Sequence, residues 1–151
     1  MDERNNSEYS DDKILILTGK KCPYCGGKTE LIDSAEVYHG VSYGKMYICR
    51  PCNAYVGCYK NTDHALGRLA NAELRKSKHI AYHYLDQIWK RRLLNRSGTY
   101  KMLSEAMGIP KEYTHIGMFD NEQCKQAIEI CIAYMKERGK EVVPYNAGDF
   151  A

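Results

Sequence analysis

Seven cysteines stand in a chain of 151 residues, and four of them have a spacing that does chemistry. They form two pairs, Cys22-Pro23-Tyr24-Cys25 and Cys49-Arg50-Pro51-Cys52, with 23 residues between the pairs. A Cys-x-x-Cys turn aims two sulfurs at one point, and two such turns complete a tetrahedral metal site. Gly26 and Gly27 follow the first pair and let backbone amides turn back towards the sulfurs. Four thiolates leave no open coordination position, so the expected cofactor is one structural Zn(2+) held by Cys22, Cys25, Cys49 and Cys52. Two readings compete. A pair of disulfides is opposed by the polar, acidic start of the chain, which is no secretion signal. A rubredoxin-like iron site uses the same four thiolates.

A second group of residues has a weaker pattern. His79 and His83 stand four apart and Asp86 three further on, so one helix face carries all three. Joined in space by His115 and Asp120, they would make a metal-dependent hydrolase or nuclease. Zinc-protease helices place Glu directly after the first His, and here Ile80 occupies that position. The chain has no Gly-rich phosphate loop, no nucleophile elbow and no cysteine beside an evident catalytic histidine. No catalytic residue is assigned, and the sequence leans away from an enzyme.

Charge adds a third feature. The net charge of +3 is unevenly spread: residues 60–101 hold ten basic and three acidic groups, whereas residues 102–151 are net acidic. A local basic block suits a polyanion such as DNA or RNA. The residues assigned to phosphate contact are Arg75, Lys76, Lys78, Lys90, Arg91 and Arg92. Tyrosines crowd the metal segment (Tyr24, Tyr38, Tyr43, Tyr47, Tyr55 and Tyr59), where they stack on bases or simply cover a thin sheet. No apolar run approaches the ~18 residues of a membrane span, so no membrane partner is expected.

The elements that must position these groups read as α+β: a small antiparallel zinc ribbon followed by a helical region of about four helices. Residues 1–12 are expected to be a disordered acidic tail, 13–60 the ribbon, 61–139 the helices packed on or beside it, and 140–151 a tail. Ile14 to Leu17 reads as a strand entering the first cysteine turn. Thr29 to Tyr38 is extended, and strands at Lys45–Cys49 and Ala54–Tyr59 flank the second turn. So small a sheet buries little, and the metal must supply much of its folding energy. Thr62 or Asp63 caps a short helix through Leu66 and Leu69. Asn71 caps a longer one to about Leu94, with Leu74, Ala81, Leu85 and Ile88 inward. A linker at Asn95–Gly98 precedes a helix that begins at Ser97 or Thr99 and stops at Gly108. Asp120 with Gln123 makes a capping box for a last helix, ended by Gly139, with Cys124 and Cys131 as small buried hydrophobes.

These segments together resemble an uncharacterised family of zinc-finger-containing proteins of phages and bacteria. The resemblance runs from about Cys22 to Cys131. It rests on Cys22-Pro23-x-Cys25-Gly26, Cys49-x-x-Cys52-x-Ala54-Tyr55-Val56-Gly57, Leu66-Gly67-x-Leu69-Ala70, Glu73-Leu74-Arg75, Asp86-x-x-Trp89 and His115-Ile116-Gly117-Met118-Phe119-Asp120-x-x-x-Cys124. It implies a zinc ribbon with a helical region and a phage or mobile-element setting, and it implies no particular activity. Many members carry His where Tyr59 and Tyr82 stand, which removes the natural partner of Cys58. The function expected is a non-catalytic nucleic-acid-binding module in the cytoplasm of a bacterial host. The alternatives are a protein-interaction adaptor and the hydrolase or nuclease above.

Overall fold

The computed structural model describes residues 9–146. The parts of the two expected tails at 1–8 and 147–151 lie outside the described residues. The chain divides into two units, the first ending at Ala72 and the second beginning at Glu73.

The first unit opens with helix α1, Asp11–Leu17, where the sequence reads as a strand. Four apolar residues suit either element, and the residues before them decide. Ser10 caps the helix, its Oγ accepting from the Lys13 N–H at 3.2 Å. Asp11 and Asp12 fill the first turn, where the positive end of the helix favours carboxylates. Gly19 follows with φ 78°, and a Cβ there would stand 2.8 Å from the Ala65 Cβ. Only glycine combines that backbone with that approach.

Three strands then form an antiparallel sheet in the order β1-β2-β3. They are β1 Glu30–Asp33, β2 Lys45–Cys49 and β3 Ala54–Gly57. β2 has the expected bounds. β1 is shorter than the extended stretch foreseen, because Asp33 caps a 3-10 turn at Ser34–Glu36. Alternation along β2 sends side chains to two faces. Tyr47 and Cys49 join Cys22, Ala54 and Leu69 in one buried cluster. Met46 and Ile48 join Ile32 on the other face, with Val37 and Tyr55 against them.

The short helix expected at 62–69 does not form. Its backbone groups are committed to β3 instead: Leu66 N–H donates to Gly57 O at 2.9 Å, and Tyr55 and Ala70 exchange bonds of 3.1 and 2.9 Å. Leu69 is fully buried while Leu66 is exposed, which the shared helical stripe did not foresee. Tyr47 fixes the loop by donating its hydroxyl to Asp63 O at 2.7 Å.

The second unit is helical. α2 is Ala72–Lys90, α3 Arg96–Met107 and α4 Asn121–Glu137. α2 stops short of Leu94 because Arg92 turns left-handed (φ 62°) and Leu93 N–H closes on Ile88 O at 3.0 Å. α3 starts earlier than foreseen, and Asn95–Gly98 is not a linker. The Asn95 carboxamide accepts from Gly98 N–H at 2.7 Å, so the cap lies at Asn95. Gly108 ends α3 with φ 69°. The Asp120–Gln123 capping box opens α4, with reciprocal bonds of 2.8 and 3.0 Å. Leu85, Ile88, Leu103, Ile116, Phe119, Cys124, Ala127, Cys131 and Met135 are all at 0% exposure and form the apolar interior of this unit. Among the described residues no helix is long and apolar enough to cross a membrane.

Candidate metal centre

Both cysteine turns are built by short backbone loops. In the first, Cys22 N–H donates to Gly27 O and Gly26 N–H donates to Cys22 O, each at 2.9 Å. Lys21 and Lys28 pair across its base. In the second, β2 delivers Cys49, Asn53 N–H reaches back to Arg50 O at 3.1 Å, and β3 leaves from Ala54. Register between β2 and β3, with Cys49 opposite Ala54, fixes where the second pair emerges.

The four sulfurs, of Cys22, Cys25, Cys49 and Cys52, all lie within 4.8 Å of one another. Cys25 Sγ and Cys49 Sγ are 3.7 Å apart. Zinc–sulfur bonds of about 2.3 Å in a tetrahedron put sulfurs about 3.8 Å apart, so the cradle has the size of the ion. All four cysteines are free thiols, and the Cys25–Cys49 separation is far beyond the ~2.05 Å of a disulfide, which sets the disulfide reading aside. The protein therefore has one structural Zn(2+) site, and the ion would tie the two turns together and offer no open position for catalysis.

The protein's own groups prepare the sulfurs for a cation. Tyr24 N–H donates to Cys22 Sγ at 3.4 Å and Gly27 N–H to Cys25 Sγ at 3.3 Å. The Gly27 amide, helped by the neighbouring sulfurs, draws the exposed Cys25 thiol below its ordinary pKa. Burial pushes Cys49 up, and burial with the crowding of three other sulfurs pushes Cys52 up to about 12. Four thiolates cannot share this space without a metal, and metal binding must displace protons.

Three supports were not read from the sequence. Asn53 follows Cys52 with φ 50°, the left-handed geometry that Gly26 has after Cys25. Arg50 reaches from inside the second turn to Glu30 at 2.9 Å and Glu36 at 3.0 Å. The Tyr24 hydroxyl accepts from Asn71 N–H at 3.1 Å, tying the first turn to the end of its unit. Asn after the second cysteine of a pair was the available signal, since Asn tolerates that backbone better than most residues.

The histidine and acid group does not form a site. Asp86 pairs with Lys90 at 3.6 Å and Asp120 caps α4. His83 Nε2 donates to Val143 O at 2.8 Å, and His79 meets the Tyr145 ring. His115 packs against Tyr100 with ring centres 6.3 Å apart. Among the described residues, the four cysteines are the only group of three or more His, Cys, Asp or Glu side chains that could hold a metal ion.

The basic residues fall into two sets. Lys78 is turned inward, its Nζ donating to Gly117 O at 3.0 Å. Lys76, Lys90, Arg91 and Arg92 are exposed, as is Arg96, whose guanidinium lies 4.6 Å from the Trp89 ring centre. Arg75 is half-buried.

The sequence pattern of a family described as a zinc-finger-containing domain matches residues 18–134, well over half of the chain. No curated protein and no solved structure matches.

Proposed function

This chain belongs to the family of zinc-finger-containing domains, and we propose that it is a non-catalytic nucleic-acid-binding module of a phage or mobile element, acting in the bacterial cytoplasm. One observation carries the reading. Arg92 and Arg96 are exposed where α2 ends and α3 begins, beside Lys90, which pairs with Asp86 at 3.6 Å, and Arg91, which donates to Glu141 O. The N-terminal end of α3 adds its partial positive charge at the same corner. A sugar–phosphate backbone is the ligand that such a corner suits, and the contacts would be electrostatic and indifferent to sequence. Lys76 is exposed nearer the start of α2, and Arg75 is half-buried. Lys78 is left out of the contact set because its ammonium serves Gly117.

Titration against single- and double-stranded DNA and RNA across a salt series tests the proposal. Affinity should fall with salt at a slope of about 0.7 to 0.9 per phosphate contacted. Arg92→Ala and Arg96→Ala should each weaken binding to every sequence and lower that slope by about one contact. No binding at low salt, or binding unaffected by both variants, rejects the proposal.

A protein-interaction adaptor is the second reading, favoured by the aromatic group on the sheet. Tyr43 is 75% exposed and meets Tyr38 edge-on at 5.4 Å, and Tyr38 in turn meets Tyr55 at 6.5 Å. Aromatic residues of this kind anchor protein interfaces. Complexes captured from a host lysate that survive nuclease treatment, and are lost in Tyr43→Ala, would favour it over nucleic acid.

A further inference from the structure

The residues after α4 run back along α2 as an extended strap. Arg91 donates its guanidinium to Glu141 O. Gln87 takes both backbone groups of Val143, accepting from its N–H at 3.0 Å and donating to its carbonyl at 2.9 Å. His83 Nε2 donates to the same carbonyl at 2.8 Å. The Tyr84 hydroxyl accepts from Tyr145 N–H at 2.9 Å. The Tyr145 ring stands edge-on to His79 and His83, at 5.9 and 5.7 Å.

The pattern has a physical logic. Residues 141, 143 and 145 are contacted in turn, which is the two-residue period of an extended chain. Arg91, Gln87 and His83 are spaced by four on a helix and share one stripe. Four helical residues rise about 6.0 Å and two extended residues about 6.7 Å, so the two ladders stay in step over this length. The polar contacts fall on main-chain groups. The aromatic ring at 145 adds a side-chain contact, and Val143 is 49% exposed.

We propose that the His79, His83, Gln87 and Arg91 stripe of α2 is a binding site for an extended peptide bearing an aromatic residue, and that Glu141–Asn146 is its built-in, exchangeable occupant. The site selects an extended backbone by bonds that any sequence without proline at the contacted amides can make, and adds one slot for a ring between two imidazoles. It shares Arg91 with the basic corner, whereas Gln87 and the ring at 145 belong to the peptide site alone, so variants there test it apart from the nucleic-acid reading.

The test uses the full chain with a specific protease sequence inserted between Gly139 and Lys140, both exposed and beyond the end of α4. After cleavage, the fragment from Lys140 onward should separate on dialysis while far-ultraviolet circular dichroism keeps its helical signal. Returned as a labelled peptide, it should bind saturably below ~1 mM. Gln87→Ala should weaken that binding about tenfold and Arg91→Ala less. Changing Tyr145 to Ala in the peptide should weaken it as well. Three outcomes overturn the proposal: a cleaved protein that unfolds when the fragment leaves, a fragment that cannot be removed without unfolding, or a returned peptide whose binding is absent at ~1 mM or unaffected by both α2 variants.

Discussion

Gly26 and Asn53 hold equivalent places in two turns of unrelated sequence: each follows the second cysteine of its pair, and each is left-handed, with φ 76° and 50°. The turn after a metal ligand must reverse the chain so that backbone amides face sulfur, and this backbone does it. In the first turn the reversal lets the Gly27 amide bond to Cys25 Sγ. The two positions differ in how far they tolerate change. A Cβ at Gly26 meets only the Lys21 Cε, at 3.7 Å, so a substitution there is opposed by backbone strain rather than by collision.

From this relationship, Asn53→Gly should be nearly neutral, whereas Asn53→Val should cost roughly 1–2 kcal/mol, the penalty of a left-handed residue with a branched side chain. Gly26→Ala should cost about 1 kcal/mol for the same reason. Urea unfolding of the zinc-loaded protein measures all three. Equal stability for Asn53→Gly and Asn53→Val would show that φ at this position is not what the turn depends on.

Zinc removal should act on one unit. The sheet of the first unit is three short strands, and its larger buried cluster includes two of the ligands, Cys22 and Cys49. Structural zinc typically contributes ~10–16 kcal/mol of apparent binding free energy, far more than so small a sheet supplies. A chelator should therefore collapse the amide dispersion of β1–β3 in NMR spectra while the α3 and α4 signals persist. Metal analysis should return one zinc per chain before chelation. Retention of the β2 signals in metal-free protein would contradict this.

The parts of this molecule that a sequence reader finds are those in which a short motif has a single geometric solution. Two Cys-x-x-Cys pairs have one, and so do the Asp120–Gln123 box and the glycines that close α3 and α4. Ile14–Leu17 has two, and the choice fell to Ser10 and the two aspartates after it. Residues 62–70 mislead for another reason: Leu66 and Leu69 have helical spacing, yet backbone bonding to β3 outweighs so weak a pattern. The strap on α2 was invisible because its hydrogen bonds are to main-chain atoms of residues 141, 143 and 145, which leave no trace in side-chain periodicity, and the one ring at 145 makes no pattern by itself.

Lys78 and Arg92 sit in one basic block and should respond oppositely to mutation. Lys78 Nζ donates to Gly117 O from a partly buried position, so Lys78→Met leaves that carbonyl without its donor. The expected loss is about 1–2 kcal/mol of stability, with salt-dependent nucleic-acid affinity unchanged. Arg92 is exposed, and Arg92→Ala should leave thermal stability within about 0.5 kcal/mol while lowering affinity. Melting and binding measured on the same two variants separate the roles. A Lys78→Met protein that melts normally and binds weakly would return Lys78 to the contact set.

His115 gives the second unit a pH dependence of definite sign. Its imidazole is half-buried, and burial holds its pKa below the ordinary value. The positive charge of Lys78 pushes the same way, and a hydrogen bond to the Glu112 backbone opposes both. The unfolded chain thus binds a proton that the folded chain resists. Stability from this source is full above pH ~6.5 and declines as pH falls below it towards the depressed folded value. His115→Asn should flatten that part of the profile. Melting temperatures from pH 7.5 down to pH 5, compared between the two proteins, check it by the difference in slope. Identical slopes would assign the acid sensitivity elsewhere.

Cys131 should tolerate a smaller apolar residue better than a polar one of its own size. It lies on the buried stripe of α4 with Cys124, Ala127 and Met135, at 0% exposure, and burial pushes its thiol up to about 12. The group therefore remains a neutral, weakly polar filler at any physiological pH. Cys131→Ser puts a hydroxyl in the same place, at a cost of about 1–3 kcal/mol where only a bond to the preceding helical turn is open to it. Cys131→Ala removes one sulfur and should cost about 1 kcal/mol through lost contact. Thermal unfolding ranks the variants, and alkylation tests the same burial: Cys124 and Cys131 should react only when the second unit unfolds. If Cys131→Ser proves the more stable of the two, or if Cys131 alkylates in the native protein at the rate of an exposed thiol, the interior of α4 is more open than its packing implies.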